Sequence, residues 1–103
     1  MIARLTSFGI HPKDAEEIKR IYHEEVVPVV KMQKGNMGAW LLEPSNEKDD
    51  YISLTEWISQ PDADAYESTG KYKMLVDKVR HLFISQPILK TYTAMETKIM
   101  TTV

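Results

Sequence analysis

Residues with side chains on alternate faces recur with a period of two in three segments of the chain. This alternation is typical of β-strands that bury one face. It predicts strands over residues 1–8, 51–58 and 88–99, and the largely apolar segment 36–44 predicts a further strand. On the first strand, Ile2, Arg4, Thr6 and Phe8 share one face. On the third, Tyr51, Ser53, Thr55 and Trp57 stand opposite Ile52 and Leu54.

Helical spacing replaces this alternation in two regions between the strands. The first begins near His11–Asp14, and its predicted apolar stripe is Ile18, Ile21, Tyr22, Val26 and Val29. Pro28 should kink or end this helix near Val27, because proline lacks the N–H that a helix requires. The second region opens at Ser59–Asp62 and is divided at Gly70. Its second half carries a stripe of Tyr72, Leu75, Val76, Val79, Leu82 and Phe83.

The resulting order of elements is β-α-β-β-α-β, which predicts an α+β fold of the ferredoxin-like class. In this arrangement an antiparallel sheet has helices on one face only. Because large apolar and aromatic side chains fall on both faces of the strands, the open face should be covered by a partner. A second copy of the chain, related by a two-fold axis, is the simplest partner. We therefore expect a homodimer built from one domain spanning residues 1–103.

Composition narrows the functional classes. The chain has 103 residues, of which 43% are hydrophobic and 27% charged, with a net charge of −2. The absence of a basic excess argues against a nucleic-acid partner. The chain has no cysteine, which excludes disulfides and thiolate metal sites. No apolar stretch is long enough to cross a bilayer and no signal-peptide pattern is visible, so we expect a cytoplasmic protein without a membrane partner.

Motifs for cofactors are missing. No pair of histidines has the spacing of a zinc-binding helix, and no glycine-rich phosphate loop occurs. We therefore predict no metal site and no cofactor.

Four segments resemble the antibiotic biosynthesis monooxygenase-like family of the dimeric α+β barrel superfamily, over about residues 1–96. They are Pro28 followed by Gly35–Gly38, the Leu54–Trp57 end of the third strand, the set Tyr66, Thr69 and Tyr72, and the run from Leu82 through Pro87 to Tyr92. The resemblance implies a dimer whose two sheets pack face to face, with a pocket between helices and sheet in each subunit. Family members include cofactor-independent oxygenases of polyketides and quinols, haem-degrading enzymes and proteins without known activity.

The active branches of this family carry residues that this chain lacks. Haem-degrading members have a histidine on the second helical region and an asparagine on the first strand. Here Tyr66–Val79 contains no histidine, and the first strand has Thr6 and Ser7. Quinol-type members often have histidine where this chain has Tyr66 and Tyr72. Polyketide oxygenases pair a third-strand tryptophan, matched by Trp57, with an asparagine four residues earlier, where this chain has Ser53.

Four residues are candidates for chemistry, and each has a structural alternative. Trp57 is a candidate catalytic and substrate-binding wall for a flat substrate, or a core residue. Tyr66 and Tyr72 are candidate substrate-binding hydrogen-bond donors, with Tyr72 also catalytic, or amphipathic packing residues. His81 is a candidate general base, or a surface histidine near a helix end.

Two functions of different classes remain open from the sequence. One is a cofactor-independent monooxygenase acting on a small electron-rich aromatic such as a quinol or an anthrone. The other is a non-catalytic dimer that binds a small aromatic or apolar ligand, for example in a stress response.

Overall fold

The computed structural model describes residues 1–95 as a four-stranded sheet with its helices on one face. The strands are β1 (Ile2–Phe8), β2 (Asn36–Leu42), β3 (Tyr51–Trp57) and β4 (Ile88–Thr93). The helices are α1 (Ala15–Ile21), α2 (Val27–Lys31), α3 (Gln60–Ser68) and α4 (Lys71–Val79). Short 3-10 turns cover Pro12–Asp14 and Arg80–Leu82.

The sheet has the order β2-β3-β1-β4, and all its neighbouring strands are antiparallel. This order and the helices on one face confirm the predicted ferredoxin-like α+β fold. The central pair, β1 and β3, is in a continuous register that sets Thr6 opposite Ser53 and Arg4 opposite Thr55.

Two strands are shorter than predicted. β2 ends at Leu42, opposite Ile52, the second residue of β3. β4 ends at Thr93, opposite Ile2, the first residue of β1. For β4 the partner strand runs out, so the alternation continues in the sequence without a ladder to join. The predicted strand residues 96–99 lie outside the described part of the chain.

A π-helical segment, Tyr22–Val26, joins α1 to α2 directly before Pro28. The expected disturbance by this proline therefore takes the form of a widened turn, and the helix continues to Lys31. The predicted stripe is correct through Val26, and its last member, Val29, packs against the edge of the core. Val30 is fully buried, whereas Val29 is only half-buried, because the wide turn shifts the inward face by one position.

Gly70 separates α3 from α4 as predicted. Its φ of 83° lies in the left-handed region, which glycine adopts without a steric penalty. α3 begins at a capped end, where the Ser59 hydroxyl accepts a hydrogen bond from the Asp62 amide. These two signals bound α3, which contacts β1 and β3.

The core contains two clusters of apolar residues between helices and sheet. One is centred on Trp57, Tyr66 and Val30, and the other on Phe8, Ile18 and Val79. The described residues 1–95 contain no helix that could cross a membrane.

Candidate functional site

The middle of the helix-covered sheet face is polar. Because alternate residues of a strand share a face, Arg4 and Thr6 of β1 point toward the helices together with Ser53 and Thr55 of β3. Arg4, Thr6 and Thr55 are buried, and Ser53 is half-buried. Buried polar groups are costly unless they are hydrogen-bonded, so this patch must be matched by polar groups from above.

A cavity of about 40 Å³ lies between this patch and the helices. Five of its lining residues carry a hydroxyl group: Thr6, Tyr22, Ser53, Tyr66 and Tyr72. The remaining lining residues are apolar: Phe8, Ile18, Val26, Leu75, Val76, Val79 and Phe83. The cavity thus combines an apolar wall with a few hydroxyl groups, as small-molecule sites do.

Two tyrosines close hydrogen bonds onto the polar patch. The Tyr22 hydroxyl donates to the Trp40 carbonyl oxygen at 3.1 Å and lies 2.7 Å from the Ser53 hydroxyl. Because a phenol has one proton, Ser53 is then the donor to Tyr22. The Tyr72 hydroxyl lies 3.1 Å from the Thr6 hydroxyl. That bond uses one of the two hydroxyl protons of the pair, so the second can be donated to a ligand.

All three cavity tyrosines are neutral donors near pH 7. Burial raises the pKa of Tyr22, of Tyr66 and of Tyr72 above the ordinary phenol value of 10.0. Desolvation is the main cause for each, since the phenolate would lose its hydration inside the protein. Among residues 1–95, no histidine, aspartate, glutamate or lysine lines this cavity, so the lining groups are suited to hydrogen bonding and poorly suited to removing a proton.

Trp57 lies in the core beside the cavity. It is fully buried, and its indole Nε1 donates to the Thr55 hydroxyl at 2.9 Å. Its ring packs against Tyr66, with centroids 5.0 Å apart, and Tyr66 contacts Tyr72 edge-on at 5.9 Å. The structure therefore brings together Trp57, Tyr66 and Tyr72, but only the two tyrosines line the cavity.

His81 lies apart from this group. It is exposed on the Arg80–Leu82 turn and does not line the cavity. This position agrees with the surface alternative, and a role as general base has no geometric support. His11 and His23 are exposed as well. Within residues 1–95, no group of three or more histidine, aspartate or glutamate side chains is placed to hold a metal ion.

Arg4, Thr6, Ser53 and Tyr22 were not singled out as site residues from the sequence. The alternation on β1 does carry a signal, because it puts Arg4 on the same face as Phe8. A charged residue on a buried face requires partners or a function. Here the partners are Asp64, 2.8 Å from Arg4 Nη2, and Glu67, 3.1 Å from Nη1.

Haem does not fit the described cavity. Its lining residues among residues 1–95 include no histidine, so it offers no imidazole ligand for haem iron. No step of the chemistry is therefore assigned to haem.

Solved structures with the same fold include proteins described as antibiotic biosynthesis monooxygenases or as candidates for that class. A candidate antibiotic biosynthesis monooxygenase from Deinococcus radiodurans is similar with a TM-score of 0.78 at 11% identity, covering 98% of this chain and 99% of its own. A variant of SnoaB, a cofactor-independent oxygenase from Streptomyces nogalater, has a TM-score of 0.75 at 16% identity and covers 93% and 94%.

A third similar structure is a variant of MhuD with two manganese protoporphyrin IX molecules bound per active site. Its TM-score is 0.76 at 15% identity, covering 95% of this chain and 98% of its own. At these identities the likeness shows the fold alone. No curated protein matches the chain.

The sequence itself carries the family assignment. The family model described as antibiotic biosynthesis monooxygenase matches residues 1–78, which include β1 through most of α4. This range contains Thr6, Ser53, Trp57, Tyr66 and Tyr72. The chain therefore belongs to the antibiotic biosynthesis monooxygenase family.

Proposed function

We propose that the protein is a cofactor-independent monooxygenase acting on a small electron-rich aromatic of the quinol or anthrone type. The observation that carries the proposal is the cavity between helices and sheet, apolar on most of its surface and lined by hydroxyl groups on one side. The family assignment and the SnoaB-like fold support the same reading.

In such a reaction the substrate supplies all the electrons. A methylene group between two aromatic rings reacts with O₂ to give a ketone and one water molecule, which balances atoms and electrons. A quinol and O₂ likewise give a hydroxyquinone and one water. The protein then has to bind the ring, exclude bulk water and hydrogen-bond the substrate oxygen whose charge grows when a proton leaves.

In this proposal Tyr72 is the catalytic hydrogen-bond donor, held in place by Thr6. Tyr66 forms the aromatic wall, and Trp57 fixes the position of Tyr66 from behind. Because no carboxylate or imidazole among residues 1–95 lines the cavity, the substrate proton passes to solvent and the substrate must be intrinsically acidic. A ring also needs more than 40 Å³, so binding requires α4 and Phe83 to move outward.

A second candidate is a dimer that binds a small aromatic or apolar ligand without catalysis. The apolar cavity, and the absence of a carboxylate or imidazole from its lining among residues 1–95, favour this candidate. The deciding experiment measures O₂ consumption with a panel of quinols and anthrones, against heat-inactivated protein. Uptake that depends on intact protein supports the oxygenase. Ligand binding, seen by tryptophan fluorescence, with no uptake across the panel supports the binding protein.

Tyr72→Phe tests the assigned donor and removes only one hydroxyl. If this hydroxyl contacts developing negative charge, kcat should fall by about 10²–10³-fold while KM changes little. Tyr51→Phe is the matched control, because Tyr51 is also buried but does not line the cavity, and its hydroxyl donates to Glu43 instead. Equal kcat values for Tyr72→Phe and wild type would remove Tyr72 from the mechanism.

The proposed biological unit is a homodimer. The open sheet face carries Trp40, Leu42, Ile88 and Tyr92, all exposed in the single chain. Between them lie the half-buried Leu5, Ile52 and Leu54. An apolar surface of this extent favours a partner, and a second copy offers the complementary surface.

Two further expectations from the sequence stay predictions. One is that residues 1–103 form a single domain, and the other is that the protein is cytoplasmic.

A further inference from the structure

Resting on the proposed function, we infer that Arg4 Nε, with Thr6 and Tyr72, forms a subsite for one neutral acceptor oxygen, namely the ketone oxygen of an aromatic ligand.

The first observation is a missing hydrogen bond. The Arg4 side chain is only 8% exposed. Its two terminal nitrogens are engaged by the Ala63 carbonyl oxygen at 3.2 Å and by the carboxylates of Asp64 and Glu67. Its Nε is buried with no hydrogen-bond partner, and no other buried side-chain nitrogen or oxygen in residues 1–95 shares this condition. A buried N–H without an acceptor is costly, so this donor is poised for a ligand atom.

The second observation is space beside this donor. Arg4 lines a cavity of about 20 Å³ together with Leu89 and the hydroxyl-bearing residues Thr6, Ser53, Thr55, Tyr66 and Tyr72. Thr6, Ser53, Tyr66 and Tyr72 also line the 40 Å³ cavity, so the two spaces adjoin. The smaller space holds about one oxygen atom and no ring. A ring admitted to the larger cavity by the outward movement of α4 and Phe83 can therefore direct one oxygen substituent toward Arg4.

The chemistry of that substituent follows from the donors and from charge. Arg4 Nε can only donate, and the Thr6–Tyr72 pair has a proton to spare, so the ligand atom must accept two hydrogen bonds. A carbonyl oxygen has two lone pairs for this purpose. The group of Arg4, Asp64 and Glu67 has a formal charge of −1, which disfavours a carboxylate. The subsite therefore selects a neutral ketone.

The test uses three probes that do not react with O₂ under the assay conditions. They are 1-tetralone, its hydrocarbon parent tetralin, and 1-naphthoate as the anion. Binding is followed by quenching of tryptophan fluorescence and by calorimetry. For wild-type protein we expect 1-tetralone to bind about tenfold more tightly than either other probe. Equal affinities for 1-tetralone and tetralin would show that Nε is satisfied by a buried water molecule only, and would overturn the inference.

Three variants test which residues cause the preference for 1-tetralone. Arg4→Lys keeps the charge and removes the Nε–H, so the preference for 1-tetralone over tetralin should fall to near unity. Thr6→Val/Tyr72→Phe removes both hydroxyl groups of the pair, and with them the spare proton, so it should lower the same preference severalfold. The double variant Asp64→Asn/Glu67→Gln should raise the affinity for 1-naphthoate about tenfold and leave that for 1-tetralone nearly unchanged.

Folding of each variant is checked by circular dichroism, and if Arg4→Lys fails to fold, the other two variants decide. A ketone preference that survives Thr6→Val/Tyr72→Phe, with no gain for 1-naphthoate in Asp64→Asn/Glu67→Gln, would overturn the inference. The outcome is separate from catalysis. A ketone preference without O₂ consumption by quinols or anthrones supports this subsite while rejecting the oxygenase proposal.

Discussion

At the centre of the sheet, the covered and open faces reverse the usual distribution of polarity. Where β1 and β3 pair, the helix-covered face carries Arg4, Thr6, Ser53 and Thr55, whereas the open face carries Leu5 and Leu54. An antiparallel sheet normally turns apolar residues to the core and polar residues to water. Here the centre of the covered side is polar and the centre of the uncovered side is apolar.

This reversal is informative because neither half of it is favourable for an isolated chain. Hydroxyl groups and a guanidinium under helices lose hydration, and apolar side chains on an open face stay in water. Each half becomes favourable when something binds. A ligand with an acceptor oxygen complements the covered face, and a second sheet complements the open face. The two faces of the same four strands would therefore have different roles. The covered face would bind a ligand, and the open face would bind the second copy of the chain.

The largest expected effect is on assembly. Leu54→Asp places a charge in the middle of the open face, where a facing sheet would bury it without a partner charge. Light scattering should give twice the 11.9 kDa chain mass for wild type at micromolar concentration, and the single mass for the variant.

Met32→Asp is the matched control for this variant, because Met32 is exposed at the end of the first helical region and should tolerate the charge. If wild type itself has the single-chain mass throughout the micromolar range, the dimer proposal and this interpretation of the open face both fail.

A second comparison uses the two tryptophans. Trp57→Ala removes a fully buried ring from the covered face and should lower the free energy of unfolding by about 3–5 kcal/mol. Trp40→Ala removes a ring that is 45% exposed in the single chain, so the monomer should lose much less stability while dimer dissociation increases. Denaturant unfolding at several protein concentrations distinguishes the two effects. Similar, concentration-independent losses for both variants would contradict the assignment of Trp40 to an interface.

The smallest effect concerns alkaline pH. The pKa of each of Tyr22, Tyr51, Tyr66 and Tyr72 is raised in the folded chain, mainly by burial. A raised pKa contributes stability that is present below the unfolded value of about 10 and is lost as pH rises through the folded value. These groups should therefore leave the unfolding free energy unchanged between pH 7 and 9 and lower it above pH 10. Ultraviolet titration of tyrosinate, compared with urea-unfolded protein, checks this directly; matching titration curves would refute it.

Sequence patterns were sufficient for the fold because it depends on period and order. The alternation over 51–58 located β3 to within one residue, and Gly70 marked the break between α3 and α4. Strand ends were less predictable, since the end of β4 depends on where its partner β1 begins, which the sequence of β4 does not contain.

The site was only partly predictable. Tyr66 and Tyr72 were found because hydroxyl-bearing aromatics are conspicuous on a helix. Thr6 and Ser53 are common strand residues, and their importance comes from a register that joins residues 47 positions apart. The placement of Trp57 behind Tyr66 depends on the tilt of α3 over the sheet, a tertiary property that periodicity does not encode.

The wide turn at Tyr22–Val26 acts as an angular correction in the helix that covers the sheet. Successive α-helical residues are about 100° apart, so Ile18 and Val30 would differ by about 120° in a regular helix. Both are fully buried, which requires nearly the same direction. In the π segment the Val27 amide donates to the Tyr22 carbonyl, five residues back, so one residue adds no rotation to the helix and the difference falls to about 20°. Pro28 favours this geometry because it offers no N–H to the Glu24 carbonyl. A single wide turn thus lets one helix keep the same side inward at both ends.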